Sequence, residues 1–214
     1  MKILYYTPTY APAWKYGGPI LCSCQLCEKL VELGHEVEVV TSTAGIEDLN
    51  FSIEERNGVK VNYFPYKYFF GIHSKEMENY LKTNIKHFDL MHLAGIWQPT
   101  SYKACKEAFN QNVPYILSLH GCLCPYSWSQ KTLKKLIYYI LRERKNVKNA
   151  SAIHYTTKNE FNECKWLRLP KTYAIIPNGI DMNMWLYKKS GGEKWREKNN
   201  IKKETFVFLN AGRI

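Results

Sequence analysis

A chain of 214 residues, 45% apolar and 23% charged, is long enough for one good hydrophobic core and has the composition of a globular protein. Lysine and arginine exceed aspartate and glutamate by 30 − 19 = 11, so the expected partners are anionic: phosphorylated small molecules, acidic lipid surfaces or nucleic acid. Seven cysteines, no signal-peptide core in "MKILYYTPTY" and no apolar run of roughly 20 residues argue against a secreted or membrane-spanning chain and for a cytoplasmic one with free thiols.

Strand and helix patterns then alternate. Lys2 to Thr7 is a predicted strand. Ile20 to Leu33 is a predicted helix, apolar at Ile20, Leu21, Cys24, Cys27, Leu30 and Val31, with Gly34 just past it as C-cap. Glu36 to Thr41 is the second strand, and Val59 to Phe64, after an Asn57-Gly58 turn, the third. A helix from Ser74 to Phe88 leads into "DLMHLAG", then a helix from Thr100 to Asn110 into "PYILSLHG". Lys131 to Lys148 reads as a long helix before the strand "SAIHYTT", and a short helix from Lys158 precedes the strand "TYAIIPN". Strands joined by helical crossovers predict an α/β fold, a parallel sheet with helices on both faces.

Ligands of such sheets bind beyond the carboxyl ends of the strands. Three loops leave that edge. In "TPTYAPAWKYGGPI", Gly17 and Gly18 let the backbone approach a ligand, and Pro19 starts a helix whose first N–H groups favour an anion. A plain turn before a Pro-started helix is the simpler reading of those three residues. Neither G-x-G-x-x-G nor G-x-x-x-x-G-K-[ST] occurs. In "SLHGCLCPYSW", His120 ends a strand, where it can donate to a ligand hydroxyl or simply bond to backbone. In "HYTTKNE", Thr157 and Glu160 have capping-box spacing, which makes Glu160 a structural residue before a catalytic one.

Together, "YTPTYAPAWKYGGPI", "LSLHG", "SAIHYTTKNE", "IIPNGID" and "FLNAGRI" resemble glycosyltransferase family 4, of the GT-B fold, in order and spacing. That resemblance implies two Rossmann-like domains around a cleft, an acceptor side first and a nucleotide-sugar side second. It places residues 1–180 as the acceptor-side domain, 181–203 as a linker and 204–214 as the first strand of a donor domain that would lie downstream. Thr205 to Leu209, β-branched and aromatic, is the predicted strand, and the chain reads as a C-terminally truncated half. By the same resemblance Gly17, Gly18 and Arg213 contact the donor diphosphate, His120 sits beside the transferred sugar, and Asn178 and Gly179 form the turn into the linker. The family retains anomeric configuration and generally needs no catalytic metal, so no cofactor is expected beyond the nucleotide sugar. The implied acceptor is a glycan or a lipid-linked sugar, and a separate polypeptide could supply the donor domain. The alternative function is a non-catalytic remnant that binds an acceptor or a partner subunit. Nucleic-acid binding is the weaker rival, because the basic residues are spread through the chain and carry no recognised motif.

Cys24 and Cys27 share a helix face and could form half a zinc site with Cys122 and Cys124, but they also continue the apolar stripe, and core packing is the expected role. "KTLKKLIYYILRERKNVK" carries seven cations (Lys131, Lys134, Lys135, Arg142, Arg144, Lys145, Lys148) against Glu143, and an apolar stripe of Leu133, Leu136, Ile137, Ile140 and Leu141. The stripe is expected to pack on the sheet with its charges solvated; the other reading is a helix peripheral to an anionic bilayer, at the inner membrane face.

Overall fold

The computed structural model describes residues 1–47, 52–170, 172–182 and 189–209. The chain divides into a unit Met1–Ile180 and a unit Asp181–Ile214.

The first unit is built on an eight-stranded sheet. Its strands are β1 (Lys2–Tyr6), β2 (Glu36–Ser42), β3 (Ile53–Arg56), β4 (Val59–Phe64), β7 (Leu90–Ala94), β8 (Tyr115–Ser118), β9 (Ala152–Tyr155) and β10 (Tyr173–Ile175), ordered β10-β9-β8-β7-β1-β2-β4-β3. All pairs are parallel except β3 with β4. The antiparallel edge strand corrects the all-parallel expectation. Asn57 (φ 49°) and Gly58 (φ 79°) both take left-handed backbone, the geometry of a tight hairpin turn, so Asn57-Gly58 joins two strands where the sequence reading had only one. A second hairpin, β5 (Lys67–Tyr68) with β6 (Ile72–His73), was also not expected.

Helix α1 (Gly18–Glu32) covers one face of the sheet: Ile20, Cys24 and Cys27 pack with Tyr5, Val37, Val39 and Val61. Gly34 follows it at φ 85° with its N–H on Val31 O at 2.9 Å, the left-handed helix stop the sequence called for. The opposite face carries α2 (Lys75–Asn84), α3 (Pro99–Asn110), α6 (Arg144–Asn149) and α7 (Lys158–Cys164), whose Met77, Leu81, Ala104, Cys105, Val147 and Cys164 meet Leu4, Tyr6, Met91, Leu93, Leu117 and Ile153. Between α3 and α6 lie α4 (Pro125–Ser129) and α5 (Thr132–Tyr138), the latter running through a π turn, Tyr139–Glu143, into α6. The long helix therefore forms, but its apolar stripe is not in the core. Its buried residues are Tyr139, Glu143, Asn146 and Val147, whereas Leu133, Leu136, Ile137, Ile140 and Leu141 are exposed, against the packing expected of them.

The second unit holds α8 (Lys189–Lys198), and the guanidinium of Arg196 donates to Lys202 O at 2.8 Å and Thr205 O at 3.0 Å. Thr205 to Leu209 is irregular rather than a strand, with Phe206, Phe208 and Leu209 exposed. β-propensity alone does not make a strand; it needs a neighbouring strand to pair with, and among the described residues none pairs with this segment. Arg213 lies outside the described residues, as does part of the expected linker.

Candidate functional site

The sheet order reverses at β1, whose neighbours are β7 and β2, so the loops after β1 and β7 open the natural ligand crevice at the carboxyl edge. The loops that carry Gly17-Gly18, His120 and Asn178-Gly179 leave β1, β8 and β10, all parallel strands, and so share that edge. The first is anchored rather than loose. Tyr10, Ala11 and Ala13 are buried, and Ala11 O accepts from the Tyr63 hydroxyl at 2.7 Å, while Trp14 and Tyr16 stay exposed. Gly17 then takes φ 77° as N-cap of α1, and a Cβ built at Gly18 would meet nothing within 4 Å, which leaves room for close approach to its backbone.

His120 is held in a strained turn. Its φ is 47° and that of Gly121 is 76°. Glu160 fixes this turn from a distance in sequence: Oε1 accepts from Gly121 N–H at 2.6 Å, and Oε2 accepts from the N–H and hydroxyl of Thr156 at 2.6 and 2.9 Å. The Thr157 hydroxyl caps α7 by accepting the Glu160 N–H at 3.0 Å, so the cap forms, but the carboxylate reaches past Thr157 to the His120 loop. No spacing rule finds that bond, because its partners are 39 residues apart. Among the described residues the His120 imidazole has no hydrogen-bond partner. Burial, and then the nearby His154, push its pKa below the usual histidine value, with Glu160 opposing. A neutral ring offers one donor and one acceptor to a ligand.

His120 lines a groove of about 210 Å³ with Cys22, Ser23 and Leu26 of α1, and with Asn178 and Gly179 in the irregular segment after β10. Gly17 and Gly18 are not in its lining; they stand one turn earlier, at the start of the same helix. The floor carries residues that the sequence reading passed over. His92 Nε2 is 2.6 Å from Ser118 Oγ, Ser118 Oγ is 2.7 Å from His154 Nδ1, and His154 Nε2 is 2.8 Å from Ile176 O. The carbonyl only accepts, so His154 Nε2 carries a proton, and when Nδ1 carries none it accepts from the serine hydroxyl. Ser118 Oγ is then left to accept from His92 Nε2–H. The chain runs in one direction, with every member bonded. Burial first, and then His154 and His120, push the His92 pKa down to about 3, so that ring is neutral. The usable signal was the alternation in "DLMHLAG", "LSLHG" and "SAIHYTT": each places a polar side chain between apolar ones on neighbouring strands.

Below His92, Tyr5 stacks edge-on at 5.0 Å between ring centroids and donates to Ser23 Oγ at 2.8 Å, which donates in turn to Pro19 O at 2.9 Å. The sheet thus holds the first turns of α1 against the groove. All seven cysteines are free thiols, with Cys24 and Cys27 buried under α1, and among the described residues no three His, Cys, Asp or Glu side chains form a group that could hold a metal. Among those residues no helix is long and apolar enough to cross a membrane.

A model of glycosyltransferase family 4 matches residues 16–183, more than half of the chain. Among solved structures, Anabaena HepE in complex with UDP and glucose is similar, with 18% identity, a TM-score of 0.64, and coverage of 93% of this chain and 50% of that one. Sucrose-phosphate synthase from Thermosynechococcus elongatus gives 13% identity and a TM-score of 0.65, over 95% of this chain and 54% of that one. The catalytic domain of Arabidopsis thaliana starch synthase IV, bound to ADP and acarbose, gives 9% and 0.58, over 96% and 60%. At these identities the likeness speaks for the fold, the Rossmann-like fold of GT-B glycosyltransferases. This chain spans about half the length of the first two. No curated protein sequence matches it.

Proposed function

This chain belongs to glycosyltransferase family 4, and from that premise we propose that its 214 residues act as the acceptor-side half of an enzyme that transfers a sugar from a nucleotide-sugar donor to a glycan or lipid-linked acceptor. The supporting observation is the groove at the carboxyl edge, where the unbonded, neutral His120 meets Asn178 and Gly179 beside α1. The donor class rests on the family and on the UDP and glucose in the Anabaena HepE complex.

In this reading His120 donates a hydrogen bond to the sugar beside the reacting carbon, and its turn is kept in place by Glu160. The open backbone at Gly17 and Gly18, ahead of α1, faces the donor diphosphate, and Arg213 adds a cation to it. Transfer proceeds with retention and without a catalytic metal, since amides and cations offset the diphosphate charge. Stabilising that charge requires groups on both sides of the leaving diphosphate, and the solved relatives are about twice as long as this chain. These residues alone are therefore expected to be inactive, with the donor side supplied by further polypeptide, and to work in the cytoplasm.

The test is a nucleotide-release assay with a panel of nucleotide sugars, run on the purified chain with and without a donor-domain polypeptide encoded next to it. The expected result is turnover only in the reconstituted pair, reduced about a hundredfold or more by His120→Ala. Turnover by the chain alone overturns the half-site reading. Silence of the pair toward every donor and acceptor tried favours the non-catalytic alternative.

A further inference from the structure

The helix from Thr132 to Asn149 turns its apolar side outward. Tyr139, Glu143, Asn146 and Val147 face the core, while Leu133, Leu136, Ile137, Ile140 and Leu141 are 44–71% exposed. Burying a glutamate and an asparagine while five aliphatic side chains stay in water is the reverse of what core packing selects. The one acid of the segment is hidden, so every exposed formal charge along it is positive. Among the described residues, none of its six cations, nor Lys131 just before it, takes part in an ion pair.

A second element adds to the same surface. The tip of the β5–β6 hairpin presents Tyr68, Phe69 and Phe70, all at least two-thirds exposed, and Lys134 Nζ of the helix lies 5.7 Å from the centroid of the Phe70 ring. The tip is fixed. Ile72 N–H donates to Gln98 Oε1 at 3.0 Å, His73 Nε2 bonds Phe69 O at 3.0 Å, and a Cβ on Gly71 (φ 136°) would come within 2.6 Å of Pro99 Cδ. Two phenylalanine rings are therefore held out in water by a well-packed base.

We propose that this face, the outward stripe of the Thr132–Asn149 helix together with Phe69 and Phe70, docks on an anionic membrane surface. The aliphatic and aromatic side chains enter the boundary between headgroups and acyl chains, and the flanking lysines and arginines stay at the level of the lipid phosphates. Charge decides the occupant. A second copy packed face to face would oppose one set of unpaired cations with another, whereas an anionic bilayer supplies apolar depth and negative charge in one partner. The inference goes beyond the proposed transfer reaction and does not depend on it.

Flotation of the purified 214-residue chain tests it, with vesicles of phosphatidylcholine alone and of phosphatidylcholine with phosphatidylglycerol, at low and high salt. Recovery is expected to be about tenfold higher on the anionic vesicles and to fall with salt. Ile137→Glu with Ile140→Glu should abolish it, Phe69→Ser with Phe70→Ser should lower it, and Lys134→Glu with Lys145→Glu should remove the preference for anionic lipid; circular dichroism verifies each fold. Equal recovery on both vesicle types at low salt overturns the proposal. So does failure to float combined with self-association that Ile137→Glu with Ile140→Glu abolishes, which would assign the face to a second copy.

Discussion

The groove floor and the Thr132–Asn149 helix break the inside-outside rule in opposite directions. On β7, β8 and β9, polar side chains go in: His92, Ser118 and His154 lie on a sheet face, and each is answered by a hydrogen bond. On the helix, apolar side chains go out, and among the described residues nothing in the unit covers the stripe. The first exception is internally satisfied and costs the fold little at neutral pH; the second stays open unless something outside the chain closes it. An internally complete polar chain suggests a site whose geometry is set in advance, while an open apolar face suggests a contact still to be made.

The difference should appear first in acid. His92 is pushed down from an ordinary 6.5 to about 3, so the unfolded chain binds a proton there that the folded chain refuses. Stability is therefore whole above pH 6.5 and is lost as pH falls from 6.5 toward 3, by up to about 5 kcal/mol from this group; His120, lowered in the same direction, adds to it. His92→Gln keeps a donor for Ser118 Oγ and removes the titration. Urea midpoints measured from pH 8 down to pH 4 should drop steeply for the natural chain and more gently for the variant. Parallel curves would mean that the half-buried rings accept a proton in place, and that the floor is wetter than its hydrogen bonds suggest.

Much of the fold was legible because period and punctuation carried it: the helix at α1 with Gly34 behind it, strands β1, β2, β4 and β7 to β10, and the Thr157 cap all sit where the pattern put them. Strand β3 escaped because "IEER" is too polar to read as a strand; its pairing to β4 comes from the Asn57-Gly58 turn, not from its own residues. The groove was half legible. His120 was found from its place at a strand end, but its support by Glu160, and the bond of His92 through Ser118 to His154, are contacts between distant segments that no local spacing encodes. The outward stripe was misread for the reverse reason. A helical wheel gives the stripe but not which side the sheet takes, and here Tyr139, Glu143 and Val147 take it.

Glu143 joins the two exceptions, as a buried carboxyl on the helix that shows its apolar side to water. Burial pushes it up from an ordinary 4.5 to about 7, only partly offset by the Trp97 N–H that donates to Oε1 at 3.2 Å. The folded chain thus holds a proton that the unfolded chain releases, and stability falls as pH rises from 4.5 through 7. Glu143→Gln keeps an acceptor for Trp97 N–H and cannot ionise. It should be nearly neutral near pH 4.5 and stabilising at pH 8 by up to about 3 kcal/mol. The readout is the difference between the urea midpoints of variant and natural chain at the two pH values. A variant weaker than the natural chain at pH 8 would show that the carboxylate is ionised and held by its surroundings, which would place it nearer to the satisfied histidines than to the open stripe.

The smallest effect separates the two regions most cleanly. If the stripe truly faces water, Ile137→Glu with Ile140→Glu should change the stability of the free chain by no more than about 1 kcal/mol, since exposed substitutions away from caps and turns rarely exceed about 0.5 kcal/mol each. Ile140→Glu even stands four residues before Arg144, a favourable helical pairing. In contrast, Leu117→Ala, at a fully buried side chain on β8 of the same unit, should cost about 3 kcal/mol, because it leaves a cavity between the sheet and its helices. Denaturation of the three chains side by side gives the scale. A double glutamate variant that loses as much as Leu117→Ala would mean that the stripe is covered within the free chain, and the contrast between a closed groove floor and an open helix face would fall with it.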